Sequence, residues 1–298
     1  MGTTGGDDDR DPVYHVDGDL VPAAEATVSV DDRGFRYGDA AFETVRAYGG
    51  RIFEWGAHAD RLERTCEALS LEHGLSRADL RARIDETLAA NGLEDAYVRL
   101  SITRGVQPGK LTPRPEVDPT VVVYAAPLPR GGLEGQPVWD GPAIVETVET
   151  RRIPDAALPA DAKTHNYLNG ILARAELSEG ADEALLCDLE GCLAEGTTSN
   201  VFFVRDGELH TPTIDGPVLP GITRAVVLEA ADAAGIPYGE GRYELEDLLE
   251  ADEAFLTNTT WELRPIERVD DRAIGGGPIT FRLADRYRER VEEACYLA

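Results

Sequence analysis

Short strand-like segments run through almost the whole chain, and the helical segments between them follow no regular rhythm. A doubly wound parallel sheet needs strands and helices in alternation, because each parallel strand is reached through a crossover connection. The irregular order therefore predicts an α+β fold. The predicted strands are 13–16, 26–30, 41–48, 51–53, 96–103, 120–126, 143–148, 183–188, 200–204, 208–210 and 254–258.

Helices are predicted where apolar residues recur at helical spacing between start and stop signals. One spans 57–72, and a second spans 77–90 and stops at Asn91-Gly92. A third follows Thr164, which is expected to cap it. A fourth begins after Pro220-Gly221 and runs to about residue 234, and the last begins near Pro278.

A stretch rich in Pro and Gly divides the chain. Segment 127–137 contains three of each, and we interpret 128–137 as a linker between a small α/β domain, 13–127, and a larger domain, 138–298. A chain of 298 residues can bury enough apolar surface for both. Residues 1–12, mostly Gly, Thr and Asp without an apolar signal core, are predicted to be a disordered tail.

The charge of the chain excludes several kinds of partner. Its 56 acidic and 29 basic residues give a net charge of −27, which repels nucleic acids and anionic membranes. Acidity spread along the chain, with lysine almost absent, resembles the proteins of extreme halophiles. The four cysteines form no CxxC pair and the histidines have no metal spacing. We therefore predict a cytoplasmic protein with reduced thiols, no metal, and no nucleic-acid or membrane partner.

Lysine is so rare that it limits the possible nucleophiles. Of the 29 basic residues only Lys110 and Lys163 are lysines, which leaves 27 arginines. A guanidinium stays protonated and cannot form a Schiff base, whereas a lysine amine can. Lys110 lies in a turn-rich loop, and Lys163 lies at the head of the helix that follows Thr164. The residues predicted to share one face of that helix are Tyr167, Leu168, Ile171, Leu172 and Ala175.

Five motifs occur in a fixed order along the chain. They are His58-Ala59-Asp60-Arg61-Leu62, Ala162-Lys163-Thr164-His165-Asn166-Tyr167, Ala194-Glu195-Gly196-Thr197-Thr198-Ser199-Asn200, Leu219-Pro220-Gly221-Ile222-Thr223-Arg224 and Asn258-Thr259-Thr260-Trp261-Glu262. Their order and spacing resemble the fold-type IV (class IV) pyridoxal-phosphate enzymes, which include branched-chain and D-amino-acid aminotransferases and 4-amino-4-deoxychorismate lyase. The resemblance implies a small α/β domain followed by a larger pseudo-barrel domain.

The resemblance also implies roles for the residues in these motifs. Lys163 would bind the aldehyde of pyridoxal 5'-phosphate as a Schiff base and then transfer a proton. Glu195 would accept a hydrogen bond from the pyridine nitrogen, and Arg61 would bind the phosphate. Ile222 and Thr223 would offer the phosphate a helix N-terminus, which is a natural anion site. The remaining implied cofactor contacts are Thr259 and Tyr167.

The substrate-side motifs are similar to more than one branch of the family. Thr44 in Phe-Glu-Thr-x-Arg resembles the lyases, in which this threonine assists proton transfer; branched-chain aminotransferases have glycine there. Tyr97 and Arg99 resemble the branched-chain enzymes, and Arg104 in Ile-Thr-Arg-Gly resembles the D-amino-acid enzymes. The implied substrate-binding residues are Tyr37, Phe42, Arg99, Arg104, Thr260 and Trp261, with Thr44 as a catalytic group beside Lys163.

Our first interpretation is a 4-amino-4-deoxychorismate lyase, which releases pyruvate and 4-aminobenzoate. The alternative is a branched-chain or D-amino-acid aminotransferase that uses 2-oxoglutarate, and a remote one is a non-catalytic pyridoxal-phosphate-binding protein. Members of this family are dimers in which each active site borrows a loop from the partner. The resemblance therefore also implies a homodimer.

Overall fold

The computed structural model describes residues 11–129, 139 and 141–297. The predicted tail, 1–12, and the predicted linker, 128–137, lie for the most part outside the described residues, so the domain boundaries stay predictions. The described chain contains two separate β-sheets with helices packed on them, which confirms the predicted α+β class.

The first sheet has six antiparallel strands in the order β2-β1-β6-β5-β3-β4. The elements of this small domain are β1 (Val13–Val16), β2 (Asp19–Pro22), α1 (Arg33–Tyr37), β3 (Ala40–Tyr48), β4 (Arg51–Ile52), α2 (Trp55–Ala68), α3 (Arg77–Asn91), β5 (Ala96–Thr103) and β6 (Val121–Pro127). Its core lies between the sheet and helices α2 and α3, and includes Val45, Leu62, Ile84 and Leu100.

Local signals explain several boundaries in this domain. Ser76 and Asp79 form a capping box that starts α3, and Gly92 ends it in the left-handed conformation at φ 64°. Gly49 and Gly50 both have positive φ, 54° and 76°, as a tight turn between β3 and β4 requires.

The second sheet has nine strands, with the order β12-β11-β10-β13-β14-β7-β8-β9 and β15 paired to β14. The elements are β7 (Ala143–Thr147), α4 (Leu168–Arg174), β8 (Glu183–Cys187), β9 (Leu193–Gly196), β10 (Asn200–Arg205), β11 (Glu208–Pro212), α5 (Ile222–Ala233), β12 (Tyr238–Gly241), α6 (Leu245–Leu249), β13 (Glu253–Asn258), β14 (Glu262–Val269), β15 (Arg272–Ala273), α7 (Pro278–Val291) and a terminal π-helical turn, Glu292–Tyr296. Strand β9 also lies beside β10 and β11, so the sheet curls towards closure.

The two domains share a core and a strand-like contact. Tyr48 and Phe53 of the small domain pack with residues of α5 and α7. The segment before α4 extends the free side of β3: the Phe42 N–H donates to the Lys163 carbonyl at 3.0 Å, and the His165 N–H donates to the Ala40 carbonyl at 3.1 Å. Lys163 therefore belongs in sequence to the large domain, but the small domain holds its backbone.

Two predicted elements differ in the structure. Segment 26–30 is not a strand, because a hairpin turn at Asp17-Gly18 lets β2 take the place beside β1; Val28 and Val30 are exposed. The helix predicted to follow Thr164 begins only at Leu168, because Thr164 is held as an isolated bridge to Ala41. Thr164 is therefore not its cap, and the helix presents its apolar side to solvent, with Leu168 66%, Ile171 61% and Leu172 54% exposed.

Several elements are missing from the sequence-based prediction, namely the eight-residue strand β14, the shorter strands β2, β9, β12 and β15, and helices α1 and α6. Strand β14 is the most informative of them. It lies inside the large sheet, between β13 and β7, yet its sequence, ELRPIERV, carries four charged residues and a proline. Such a composition is depleted in strands, so local pattern does not identify it.

Candidate active site

A cavity of ≈ 420 Å³ opens between the domains, beside the Lys163 segment. The predicted site residues that line it are Phe42, Thr44, Arg61, Arg99, Lys163, Tyr167, Glu195, Ile222, Thr223, Thr259, Thr260 and Trp261. The structure thus brings together residues from β3, β5, α2, α5 and the turn after β13. Hereafter the cofactor side means Arg61, Lys163, Glu195 and the start of α5, and the substrate side means Phe42, Thr44, Tyr97 and Arg99.

Only one of the two lysines lines this cavity. The Lys163 amine donates a hydrogen bond to the Tyr167 hydroxyl at 3.0 Å and lies 4.6 Å from the centre of the Phe42 ring. Lys110 is exposed, and its carbonyl accepts a hydrogen bond from the Arg33 guanidinium. The described geometry therefore leaves Lys163 as the amine that can react with a bound aldehyde.

Glu195 is a buried carboxylate held from two directions. One oxygen accepts from Arg152 Nε at 2.7 Å, and the other accepts from the Leu219 N–H at 3.0 Å and from the Asn200 amide at 3.4 Å. Burial raises the pKa of the Glu195 carboxyl, while the Arg152 charge and the Leu219 N–H oppose that rise. The contacts fix the direction of the carboxylate, and the Arg152 charge favours its ionised form, which is the form that suits a protonated ring nitrogen.

Arg61 is fixed by a buried carboxylate, Glu43, to which the sequence motifs gave no role. Glu43 accepts from Arg61 Nε at 2.8 Å and from Nη2 at 2.7 Å, and His58 Nδ1 lies 2.8 Å from the same carboxylate. Arg61 Nη1 donates to the Pro220 carbonyl at 3.0 Å. A guanidinium has five N–H groups, so two remain for a ligand. The Arg61 charge holds the pKa of Glu43 down to about 2, against the opposing effect of burial.

Helix α5 contributes an anion site to the cofactor side. Its first N–H groups, at Ile222 and Thr223, have no carbonyl partner within the helix and line the cavity. The preceding Gly221 has no room for a side chain, because a Cβ there would lie 2.0 Å from Asn200 Oδ1. Asn200 therefore joins this helix start to Glu195, to which its amide also donates.

The substrate side is built on facing strands. Thr44 and Arg99 are cross-strand partners on β3 and β5, and Phe42 and Tyr97 lie on the same face of the sheet. The Arg99 guanidinium lies 3.8 Å from the centre of the Phe42 ring and donates to Ser101 Oγ at 3.3 Å. Within the part of the chain that the structure describes, Arg99 is the one cavity-lining arginine without a carboxylate partner.

The turn after β13 is organised by Asn258, the last residue of that strand. Asn258 Oδ1 accepts from the N–H groups of Thr260 at 3.0 Å and Trp261 at 2.7 Å. A substrate carboxylate at this turn would therefore share those two donors with the Asn258 amide oxygen.

Two predicted substrate residues lie outside the cavity lining. The Arg104 guanidinium is buried and bonded to the Asp39 carboxylate and to the carbonyls of Leu69 and Ser70, so it ties the end of α2 to the sheet. Tyr37 packs under the guanidinium groups of Arg33 and Arg36 instead. The structure of the single chain thus does not bring either to Lys163.

The motifs gave no role to Arg152, Glu43 or Asn200, although Glu43 and Asn200 lie within them. Glu43 had a usable signal, since it is the lone acid of β3 and alternates with the apolar core residues Ala41, Val45 and Ala47. Arg152 lies in a loop without any periodic pattern, and only its contact with Glu195 identifies it. Among the described residues no cluster of histidine, cysteine or carboxylate side chains could hold a metal ion, and no helix there is long and apolar enough to cross a membrane.

The donors on the cofactor side fit pyridoxal phosphate. The α5 start and the two remaining Arg61 N–H groups suit a phosphate dianion, Glu195 suits a protonated ring nitrogen, and the Lys163 amine suits an aldehyde. All of them line one cavity of a size that holds a small cofactor together with a substrate.

A known protein family matches most of this chain. The family model described as amino-transferase class IV matches residues 40–269. A Methanocaldococcus jannaschii protein named "putative branched-chain-amino-acid aminotransferase" is 39% identical over 92% of this chain and 95% of its own. A D-alanine aminotransferase of Listeria monocytogenes is 36% identical (94% and 96% covered), and the aminodeoxychorismate lyase of Bacillus subtilis is 32% identical (94% and 95%).

Solved structures show the same fold. The branched-chain aminotransferase of Thermoproteus uzoniensis, solved with norvaline, superposes with a TM-score of 0.88 at 33% identity, covering 96% of this chain and 97% of that one. The 4-amino-4-deoxychorismate lyase of Pseudomonas aeruginosa superposes with a TM-score of 0.81 at 32% identity, covering 93% of this chain and 98% of that one. The chain belongs to the class IV aminotransferase family of pyridoxal-phosphate enzymes.

Proposed function

We propose that this enzyme is a branched-chain amino-acid aminotransferase that passes the amino group to 2-oxoglutarate. The observation that carries the proposal is Arg99, a half-buried guanidinium without a carboxylate partner in the described chain. It lies 3.8 Å from the centre of the Phe42 ring, and Tyr97 lines the same cavity. Such an enzyme must receive an apolar side chain and an acidic one at the same place. The rings would contact the first, and Arg99 would pair with the second.

Similarity supports this function over our first interpretation. The Methanocaldococcus protein shares 39% of its residues with this chain, compared with 32% for the Bacillus lyase. The comparisons therefore favour the branched-chain alternative and do not single out the lyase.

The residues of the cavity divide the chemistry among them. Pyridoxal phosphate, when bound, supplies the electron sink for the substrate's Cα–H bond. Lys163 Nζ would accept the proton from the substrate Cα and return it during the second half of the transfer. Glu195 would stabilise a protonated ring nitrogen, with Arg152 keeping its carboxylate oriented, while Arg61 and the start of α5 hold the phosphate in place.

A 4-amino-4-deoxychorismate lyase remains the second candidate because of Thr44. This side chain lines the cavity as the cross-strand partner of Arg99, where branched-chain enzymes carry glycine. In a lyase its hydroxyl would assist a proton transfer, which typically contributes about 10²–10⁴-fold in rate. Thr44→Val keeps the β-branched shape. We expect it to lower lyase turnover about tenfold or more, and to leave a branched-chain transamination nearly unchanged.

The deciding experiment offers three substrates to the purified enzyme. Leucine with 2-oxoglutarate should yield glutamate; D-alanine with 2-oxoglutarate tests the D-amino-acid alternative; aminodeoxychorismate tests the lyase. Release of 4-aminobenzoate without glutamate formation would overturn the branched-chain assignment. If leucine is accepted, Thr44→Gly should widen the range of accepted side chains, because Thr44 is then a wall of the pocket.

We also propose that the enzyme is a cytoplasmic homodimer. Helix α4 exposes Leu168, Ile171 and Leu172, and the loop after β5 exposes Val106 and Leu111. The Arg33 guanidinium holds that loop through the carbonyls of residues 110 and 111, so its apolar tip is ordered. A partner copy would cover these side chains. A fully active monomer in light scattering would contradict the dimer.

A further inference from the structure

One hydroxyl joins the backbones of two residues of the cofactor side, Arg61 and Lys163. Thr65 lies in α2 and is completely buried. Its Oγ1 accepts a hydrogen bond from the Lys163 N–H at 2.9 Å and donates one to the Arg61 carbonyl at 3.0 Å. A threonine hydroxyl has a single donor, so the Arg61 carbonyl takes its only proton and Lys163 uses one of its lone pairs.

The bond to Arg61 alone would be ordinary. Threonine in a helix commonly donates to the carbonyl four residues earlier, a local contact with no long-range consequence. Here the same oxygen also binds a residue 98 positions away, in the other domain. The Lys163 carbonyl is held as well, by the Phe42 N–H at 3.0 Å. Both peptide groups that flank the Lys163 Cα are therefore attached to the small domain.

We propose that Thr65 is a positioning residue that sets the Lys163 amine in register with the phosphate-binding Arg61. The inference rests on the proposed function in one respect, namely that Lys163 and Arg61 hold opposite parts of the same bound cofactor. Arg61 and Thr65 are one helical turn apart on α2, so the hydroxyl transmits the position of that turn directly to the lysine backbone. A displacement of about 1 Å in a reacting group can cost about 10²-fold in rate.

The chain offers a matched control for the test. Thr87 in α3 is also completely buried and also donates to the carbonyl four residues earlier, that of Arg83, at 2.7 Å. It does not line the cavity and contacts neither Lys163 nor Arg61 in the described structure. Thr65→Val and Thr87→Val remove the same hydroxyl from the same kind of helical site, and only Thr65→Val leaves the Lys163 N–H without its partner.

The experiment compares the holoenzymes of wild type, Thr65→Val, Thr65→Ser and Thr87→Val. Three readouts are measured: hydrogen exchange of the Lys163 amide, the rate of pyridoxal phosphate release after dilution, and kcat with KM for leucine. In Thr65→Val we expect fast exchange of that amide, cofactor release about five- to tenfold faster, and kcat at least about tenfold lower with KM little changed. Thr65→Ser keeps the hydroxyl and should return all three towards wild type.

Thr87→Val should match wild type in all three readouts even where its melting temperature falls as far as that of Thr65→Val. Equal amide exchange and equal cofactor release in the two valine variants would overturn the proposal. The first two readouts need no substrate. A wild type that leaves leucine untouched would therefore refute the proposed function, while the Thr65 question would still be decided.

Discussion

The cofactor side and the substrate side of the cavity differ in whether their charged side chains have a partner of opposite charge. On the cofactor side the Arg61 guanidinium is paired with Glu43, and the Glu195 carboxylate is paired with Arg152. On the substrate side Arg99 contacts the Phe42 ring and Ser101 and, among the described residues, no carboxylate. Since a buried charge without a partner is costly, the paired side is part of the folded framework. Arg99 is half-buried, and its charge remains available to a substrate.

This difference indicates which part of the site determines the type of chemistry and which part determines the substrate. Groups locked in buried pairs can hold one cofactor in one orientation, whatever the substrate is. The relatives of this chain include two kinds of aminotransferase and a lyase, so the same cofactor chemistry serves several reactions in this family. Variants on the two sides should therefore fail in different ways.

The largest effect is expected for Lys163→Ala, which removes the reactive amine of the cofactor side. Turnover should fall by at least about 10⁴-fold, the upper range for a positioned proton-transfer group, and the visible absorbance of the holoenzyme should change. Lys110→Ala is the control and should be unaffected, because Lys110 is exposed and outside the cavity. Borohydride trapping followed by peptide mapping checks the site; a pyridoxyl group on Lys110 would refute the assignment.

The next largest effect is expected for Glu43→Gln, which leaves the Arg61 charge buried and unpaired. Removing one partner of such a pair costs about 3–5 kcal/mol of the free energy of unfolding. Glu253→Gln is a suitable control, because that buried carboxylate caps α7 and pairs with no arginine in the described structure. Urea unfolding measures both variants, and a loss for Glu43→Gln no larger than for the control would contradict this reading of the cofactor side.

The pH dependence of that loss follows from the depressed pKa of Glu43. Its folded pKa of about 2 lies below the ordinary 4.5, so its stabilising effect is complete above about pH 4.5 and is lost as the pH falls towards 2. The difference in the free energy of unfolding between wild type and Glu43→Gln should therefore shrink as the pH falls from about 4.5 to 2. A difference that stays constant over this range would contradict the depressed pKa.

A smaller and more selective effect is expected for Arg99→Leu on the substrate side. Losing hydrogen bonds to a charged group costs about 1.5–3 kcal/mol, so kcat/KM for 2-oxoglutarate should fall about 10- to 100-fold. The value for leucine should stay near wild type, and so should the free energy of unfolding, because Arg99 holds no buried carboxylate. Steady-state kinetics with each substrate in turn measures the two kcat/KM values separately. An equal loss for 2-oxoglutarate and leucine would mean that Arg99 binds the α-carboxylate that both substrates share.

The smallest effect concerns salt, which should act on the surface and spare the paired cofactor side. The net charge of −27 produces repulsion that is screened as the Debye length falls from ~10 Å at 0.1 M to ~3 Å at 1 M salt. The melting temperature and activity should both rise between about 0.1 M and 2 M KCl, if the acidic surface is a halophilic adaptation. Calorimetry and assays across that range check this, and a flat or falling curve would refute the halophilic interpretation.

Motifs that sit on adjacent residues were predictable, and groups that meet only after folding were not. Lys163, Glu195, Arg61 and the start of α5 each lie in a short motif, and the structure brings all of them to one cavity. Arg104 also lies in a suggestive motif, but Asp39 and the end of α2 hold its side chain elsewhere. A motif identifies a candidate residue, whereas the residues that pack around it in the folded chain determine the position of its side chain.

The same limit applies to the secondary structure. Helix α3 carries its own capping box and terminal glycine, so local sequence was enough to predict it. Strand β14 has few strand-forming residues and exists because β13 and β7 lie on either side of it. The late start of α4 likewise comes from the pairing of Thr164 with β3, a contact between two domains.

By itself, the sequence determined the fold class, the family and the cofactor, and the scarcity of lysine reduced the candidate reactive amines to Lys110 and Lys163. Only the tertiary structure decided which charges are paired and which cavity-lining arginine of the described chain, Arg99, has no carboxylate partner. Glu43 lies 18 positions from Arg61, and Arg152 lies 43 positions from Glu195. Neither pair lies within a single helix or strand, so no sequence periodicity predicts these pairs. Such pairs form because burial makes an isolated charge unfavourable, and burial is a property of the folded chain as a whole.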